Sequence, residues 1–200
     1  MNSSPFNISD QHDSVEHKII VVLERISEAF RVLLWNESKE HSLSPIQVQI
    51  LIFLHYHSAD KRKVSHLAKE FNVTKATISD TVKTLEKKKL ISKSYEPDDA
   101  RSYTIDLTAN GNEIASRTSH FAKEIQTPIN QLPQSEKESL LLNLIGVIHH
   151  LNQAGVISIQ RMCLTCSFYR KNDDGHYCTL LKQPLNNEEL RVDCPEHVLN

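Results

Sequence analysis

From residue 15 to residue 35 the chain reads VEHKIIVVLERISEAFRVLLW, with Ile19, Leu23, Ile26, Phe30 and Leu33 recurring at alternating steps of four and three. That spacing places all five on one stripe of a long helix. Ile20, Val22 and Leu34 widen the stripe beyond what a surface helix needs, which predicts burial on more than one side. A second helix is predicted to open at Ser44, a capping residue, with Pro45 at the first helical position, where no N–H is required. VSHLAKEF, residues 64 to 71, reads as a short third helix, and Asn72 after it suits a tight turn with left-handed backbone.

The next stretch, VTKATISDTVKTLEKKKLI, keeps the helical period. Ile78, Val82 and Leu85 form its inner stripe, while Ala76, Asp80, Lys83 and Lys87 point the other way with Ser79 on the flank. The outward face is small and polar first, then basic. Such a face suits a DNA major groove, where small hydrogen-bonding groups reach base edges and lysines meet phosphates; a plain amphipathic surface helix shares the profile. After Leu90 the period changes. ISKSY and YTIDL alternate like strands around a polar turn holding Pro97, Asp98 and Asp99, a hairpin with Arg101 near its tip. Helix, turn, helix and hairpin in that order make a winged helix, in which Arg101 either enters a minor groove or pairs with Asp98 or Asp99. Thr108 is a candidate cap for a further helix running to about Ile129, which Pro133 ends. SEKE, residues 135 to 138, reads as a capping box for the last helix, where Leu140, Leu144, Val147 and Leu151 step 4-3-4 until Gly155. Three apolar helices exceed what a small DNA-reading unit needs for its own core, so a dimer is expected, with paired recognition helices about 34–36 Å apart.

Charge sharpens this picture. The net charge is only −2, yet Lys61 to Arg101 hold eleven Lys or Arg against six Asp or Glu. A basic block on an acidic background fits one surface meant for a polyanion. There is no basic-then-apolar leader and no apolar run of about eighteen residues, so no membrane span is expected. A cytoplasmic location follows, in which thiols stay reduced. The signatures of phosphate-loop, zinc-protease and serine-hydrolase chemistry are all missing, so no enzyme is expected.

The stretches LSPIQVQILIFL, VSHLAKEFNVTKATISDTVKTLEKKKLI and YEPDDARSYTIDLTANG resemble the MarR family of winged-helix transcription regulators, and with the flanking helices the likeness spans about residues 15 to 153. The resemblance implies a homodimer held by its first and last helices, which binds a pseudo-palindromic operator and usually represses. Carried over by position, Lys75, Ala76, Thr77, Ser79, Asp80 and Lys83 would face the major groove and Arg101 the minor groove. One departure is the wing, Asp99-Ala100-Arg101-Ser102, where the family often has two basic residues.

The expected organisation is a flexible N-terminus (1–14), a MarR-like winged-helix and dimerisation domain (15–155) and a cysteine-rich extension (156–200). The fold class is mainly α with a small β-hairpin wing, plus a metal-binding segment. All four cysteines of the chain lie in the extension, as Cys163-x2-Cys166-x11-Cys178-x15-Cys194-Pro. Small buried residues, a thiol–disulfide switch without the expected βαβ context, structural zinc and an iron–sulfur cluster are the competing readings. A polar tail of some forty residues with few large apolar groups needs a staple, which favours metal bound by Cys163, Cys166, Cys178 and Cys194. One C-x2-C knuckle with two distant partners, the last followed by Pro195, favours iron–sulfur over zinc. His176 and His197 lie near enough to replace a cysteine. The alternative regulator carries structural zinc and binds a small effector between its lobes, where His41, His55, Tyr56 and His57 are candidate lining residues.

Overall fold

The computed structural model describes residues 3–96, 99–158, 160–172 and 175–199, and the side chains of residues 96 and 99–101 lie outside that description. Asn7 caps a short helix α1 (Ile8–Asp13), and Ser14 caps the long α2 (Val15–Glu40) by accepting from the His17 N–H. Ser44 and Gln47 form a capping box ahead of α3 (Pro45–Tyr56). Then come α4 (Val64–Glu70), a turn in which Asn72 takes φ 52°, and α5 (Lys75–Lys87), capped by Thr74. The antiparallel hairpin of β1 (Ile91–Glu96) and β2 (Asp99–Leu107) pairs Ile91 with Leu107 and Tyr95 with Tyr103. It is the expected wing.

These elements enclose the main core. Val48, Leu51 and Leu54 of α3, Leu67 of α4, Ile78, Val82 and Leu85 of α5 and Ile105 of β2 are wholly buried. The inner stripe read from the sequence of α5 is thus the one that packs, and the opposite face is left to solvent.

The helix predicted to run to Ile129 is two helices, α6 (Ala109–Thr118) and α7 (Lys123–Gln131). The break places Phe121 edge-on to Phe30 of α2, with ring centres 6.3 Å apart. A packing contact from a distant segment thereby overrides a local pattern that would continue. Thr108 caps α6 as expected, accepting from the Gly111 N–H. Gly111 is there for space: a Cβ on it would lie 1.9 Å from the Leu90 carbonyl oxygen. Gly111→Ala should therefore cost about 1–3 kcal/mol by overpacking and lower the melting midpoint by about 2–4 °C per kcal/mol, readable by circular dichroism.

Helix α8 (Gln134–Gln153) follows Pro133 directly and starts without a side-chain cap. Ser135, predicted as its cap, lies inside the first turn instead, because Pro133 already ends the preceding segment. Gly155, at φ 72°, stops α8 as predicted. The tail then forms a three-stranded antiparallel sheet of β3 (Tyr169–Asn172), β4 (Gly175–Cys178) and β5 (Gln183–Leu185). It is better cored than its composition promised. Met162, Leu185 and Leu190 bury themselves against Ile145 of α8, with Leu141, Leu142 and Ile148 beside it.

The stripe of α2, expected to be buried on more than one side, is in large part exposed in the single chain: Ile19 keeps 53% and Val22 55% of its surface, while Leu23 and Leu33 are half-buried and Leu34 is buried. Leu144 and Val147 of α8 are exposed as well. Among the described residues no helix is long and apolar enough to cross a membrane.

Candidate functional site

Two sites were expected, a DNA-reading face and a cysteine centre. On α5, Lys75, Ala76, Thr77, Asp80 and Lys83 are exposed and Ser79 is half-buried at the edge of the same face. The local chain explains this arrangement. Thr74 holds the first turn through the Thr77 N–H at 3.1 Å, and the buried triad of Ile78, Val82 and Leu85 fixes which way the helix is turned. Lys83 Nζ lies 3.1 Å from Asp80, an exposed pair on one helix that contributes little and that a phosphate can displace. Lys87 and Lys88 extend the positive edge. Arg101 has its backbone in β2, while its side chain, and with it the expected minor-groove role or pairing with Asp98 or Asp99, lies outside the described residues.

The four cysteines do come together. Cys163, Cys166, Cys178 and Cys194 all line one small cavity of about 30 Å³, walled by Phe168, Tyr169, Leu180, Leu181 and Leu185. All four are free thiols. Cys163 and Cys166 sit at either end of a single 3₁₀ turn, Cys178 ends β4, and Cys194 is brought in where its N–H donates to the Arg161 carbonyl at 2.8 Å. Burial pushes the Cys163 thiol up, a hydrogen bond from the Arg191 N–H opposes this, and the proximity of Cys194, Cys166 and Cys178 adds to the rise. A thiol-exchange nucleophile needs the opposite direction.

Arg191 frames the sulfurs from one side. Its backbone N–H donates to Cys163 Sγ at 3.3 Å, and its guanidinium to Cys194 Sγ at 3.5 Å and to Glu196 at 2.9 Å. Donors aimed at sulfur suit thiolates that hold a metal. Among the described residues, however, no group of three or more His, Cys, Asp or Glu side chains is disposed to hold a single metal ion. The four cysteines share the lining of one cavity. His176 and His197 are engaged elsewhere, with Tyr169 Oη at 2.6 Å and Thr165 Oγ1 at 3.0 Å.

The residues named for an effector pocket make separate contacts in the single chain. His55 bonds Asn112, Tyr56 donates to Ser119, His41 faces Glu37, and His57 stacks on Phe53 with ring centres 3.7 Å apart. The groove beside α2 is lined instead by Leu23, Ile26, Phe30, Leu34 and Phe121. Arg161, Asp193 and Glu70, which the sequence did not mark, join the tail to the helix–turn–helix together with His57. The buried Arg161 pairs with both carboxylates, and in sequence nothing but its place beside Cys163 distinguishes it.

No curated protein matches the chain. The family model described as "MarR family" matches residues 41–102. Among solved structures, the Staphylococcus aureus MepR–DNA complex shares 27% identity at a TM-score of 0.58, covering 66% of this chain and 96% of that one. MepR in its DNA-binding conformation shares 25% identity at 0.58, covering 66% and 98%. A third MepR structure, described as a transcription regulator of the multidrug efflux pump MepA, shares 26% at 0.51, covering 65% and 96%. These relatives are transcription regulators, not enzymes. Residues 41–102 thus match the MarR family model, and the winged-helix fold that contains them is similar to that of MepR.

Proposed function

We propose that this chain is a DNA-binding transcriptional regulator, acting as a repressor and as a homodimer in the cytoplasm, whose tail cysteines hold an inorganic centre that sets its hold on DNA. The observation that carries the first part is α5. Its inner side chains are wholly buried, and its outer face presents Lys75, Ala76, Thr77, Ser79, Asp80 and Lys83 in a fold whose MepR relative is seen in complex with DNA. Small and hydroxyl groups on such a face suit base edges, and the lysines suit phosphates. Arg101, by its place in β2, is the candidate for the minor groove. The exposed apolar stripes of α2 and α8 support a partner copy.

For the tail, four thiols around one cavity with Arg191 donors on two of the sulfurs support a metal centre held by Cys163, Cys166, Cys178 and Cys194. The ligand spacing, one C-x2-C knuckle with two distant partners and Pro195 after the last, favours an iron–sulfur centre over one zinc ion. Such a centre supplies reversible electron transfer and sensitivity to oxidants, which zinc does not.

The DNA half is tested by Lys75→Ala combined with Lys83→Ala. Loss of two phosphate contacts in each subunit, four across the dimer, should weaken binding to every duplex sequence alike and flatten the slope of log affinity against log salt by about 3.6. Unchanged affinity and slope would show that α5 does not meet DNA.

A further inference from the structure

Segments far apart in the chain meet at one guanidinium. Arg161 donates from Nε to Asp193 Oδ1 at 2.5 Å and from Nη2 to Asp193 Oδ2 at 3.2 Å. Its other edge donates to Glu70, from Nη1 at 2.6 Å and from Nη2 at 3.2 Å. Both carboxylates are thus gripped bidentately, the geometry that the planar fork of arginine suits best. Glu70 is the last residue of α4, the first helix of the helix–turn–helix. Asp193 Oδ2 also meets His57 Nε2 at 2.8 Å, at the end of α3.

The same tail segments carry the cysteines. Arg161 stands two positions before Cys163, and Asp193 one before Cys194. The backbone sews them together, with Cys194 N–H donating to Arg161 O at 2.8 Å and Cys163 N–H to Arg191 O at 3.0 Å. A second contact reinforces the first. Ser158 Oγ donates to the Lys69 carbonyl at 2.9 Å, in the last turn of α4 and just before the Asn72 turn that sets the direction of α5. A third path leads to the wing. The His57 carbonyl accepts from Arg62 Nε at 2.8 Å, and Arg62 Nη1 reaches Asp106 of β2 at 3.4 Å.

We infer that Arg161 is the positioning residue through which the state of the cysteine centre reaches the DNA-reading helices, an inference that rests on the reading of those cysteines as a metal centre. While Cys163 and Cys194 are held to one centre, Arg161 and Asp193 are fixed side by side and the free edge of the guanidinium pins Glu70. When the centre is lost the two segments can part. One fork then no longer reaches both carboxylates, and α4 with the turn after it is released. Because a buried arginine is poorly tolerated half-paired, the clasp has two states rather than a graded range. This route works within one subunit. It does not pass through α8, whose contacts with Met162, Leu185 and Leu190 form a separate mechanical path.

The test uses the full-length protein and a duplex selected by the wild type from a random-sequence pool. Dissociation constants are measured by fluorescence anisotropy for protein reconstituted anaerobically with iron and sulfide, and again after stripping with a chelator. In the wild type the two should differ by about 5–150-fold. In Glu70→Gln the ratio should fall to within about twofold of one while iron content and molecular mass are unchanged, an uncoupling that the coupling free energy itself defines. Amide exchange across Val64–Glu70 should speed on stripping in the wild type and be indifferent to stripping in Glu70→Gln. Arg161→Lys, which keeps the charge and loses the fork, should behave as Glu70→Gln does. Should Arg161→Lys misfold, the half-exposed Glu70 still provides the answer. A wild-type ratio persisting in Glu70→Gln, or a wild-type ratio of one in iron-loaded protein, overturns the clasp. A wild type that takes up no iron instead overturns the cysteine reading, and metal analysis reveals that before DNA is added.

Discussion

On the proposed reading of the tail cysteines, Cys166→Ser should abolish metal binding and loosen the segments after Gly155 while the winged helix stays folded. Cys166 is the buried member of the four, its N–H closing the turn onto the Cys163 carbonyl at 3.0 Å. Serine fills the same space but does not supply a thiolate. Structural metal contributes folding free energy on the order of 10–16 kcal/mol in small zinc modules. Against this, Met162, Leu185 and Leu190 contribute about 1.5–3 kcal/mol each through burial. A centre held by the four cysteines would therefore dominate, with the small core keeping the tail near α8 without keeping it rigid. Anaerobically purified wild type should show visible charge-transfer absorption with iron and sulfide, and Cys166→Ser should show neither. Limited proteolysis within residues 156–200 should quicken about tenfold or more, since each 1.4 kcal/mol of lost local stability multiplies the open population by about ten. Equal metal content and equal protease resistance in the variant would remove the centre from this account, and stoichiometric zinc without iron would replace sensing with bracing.

Ile19→Asp combined with Leu144→Asp should convert the proposed dimer to monomers. Both side chains are exposed in the single chain, so neither substitution should unfold it. In a subunit contact each would bury an unpaired carboxylate, a cost of several kcal/mol. Light scattering should find the mass falling from twice 22.9 kDa to 22.9 kDa. Operator affinity should fall about 100-fold or more, because a second recognition helix held about one DNA turn away acts at high effective concentration. A double variant that stays dimeric places the interface elsewhere.

What the sequence told in advance was local. The buried triad of α5, the left-handed Asn72, the caps at Ser44 and Thr108 and the stop at Gly155 each depend on a few neighbouring residues, and each stands where the pattern put it. The gathering of the cysteines around one cavity was likewise written in their spacing. What escaped notice depends on contacts across the chain. The break between α6 and α7 serves Phe121 against Phe30, and the start of α8 answers to Pro133 rather than to Ser135. Arg161 finds Glu70 across 91 positions and Asp193 across 32, and His57 meets Asp193 across 136. No periodicity encodes such meetings. The tail's core was missed for the same reason: part of it belongs to α8.

That shared core makes α8 a helix with two oily sides. Ile145, Leu141, Leu142 and Ile148 are covered by the chain's own tail, and Leu144 and Val147 look away from it. The appendage is therefore no detachable passenger. A protein severed at Gly155 would leave the first set bare alongside the second and would be prone to clumping, so trimming this chain to the length of its shorter cousins would spoil it.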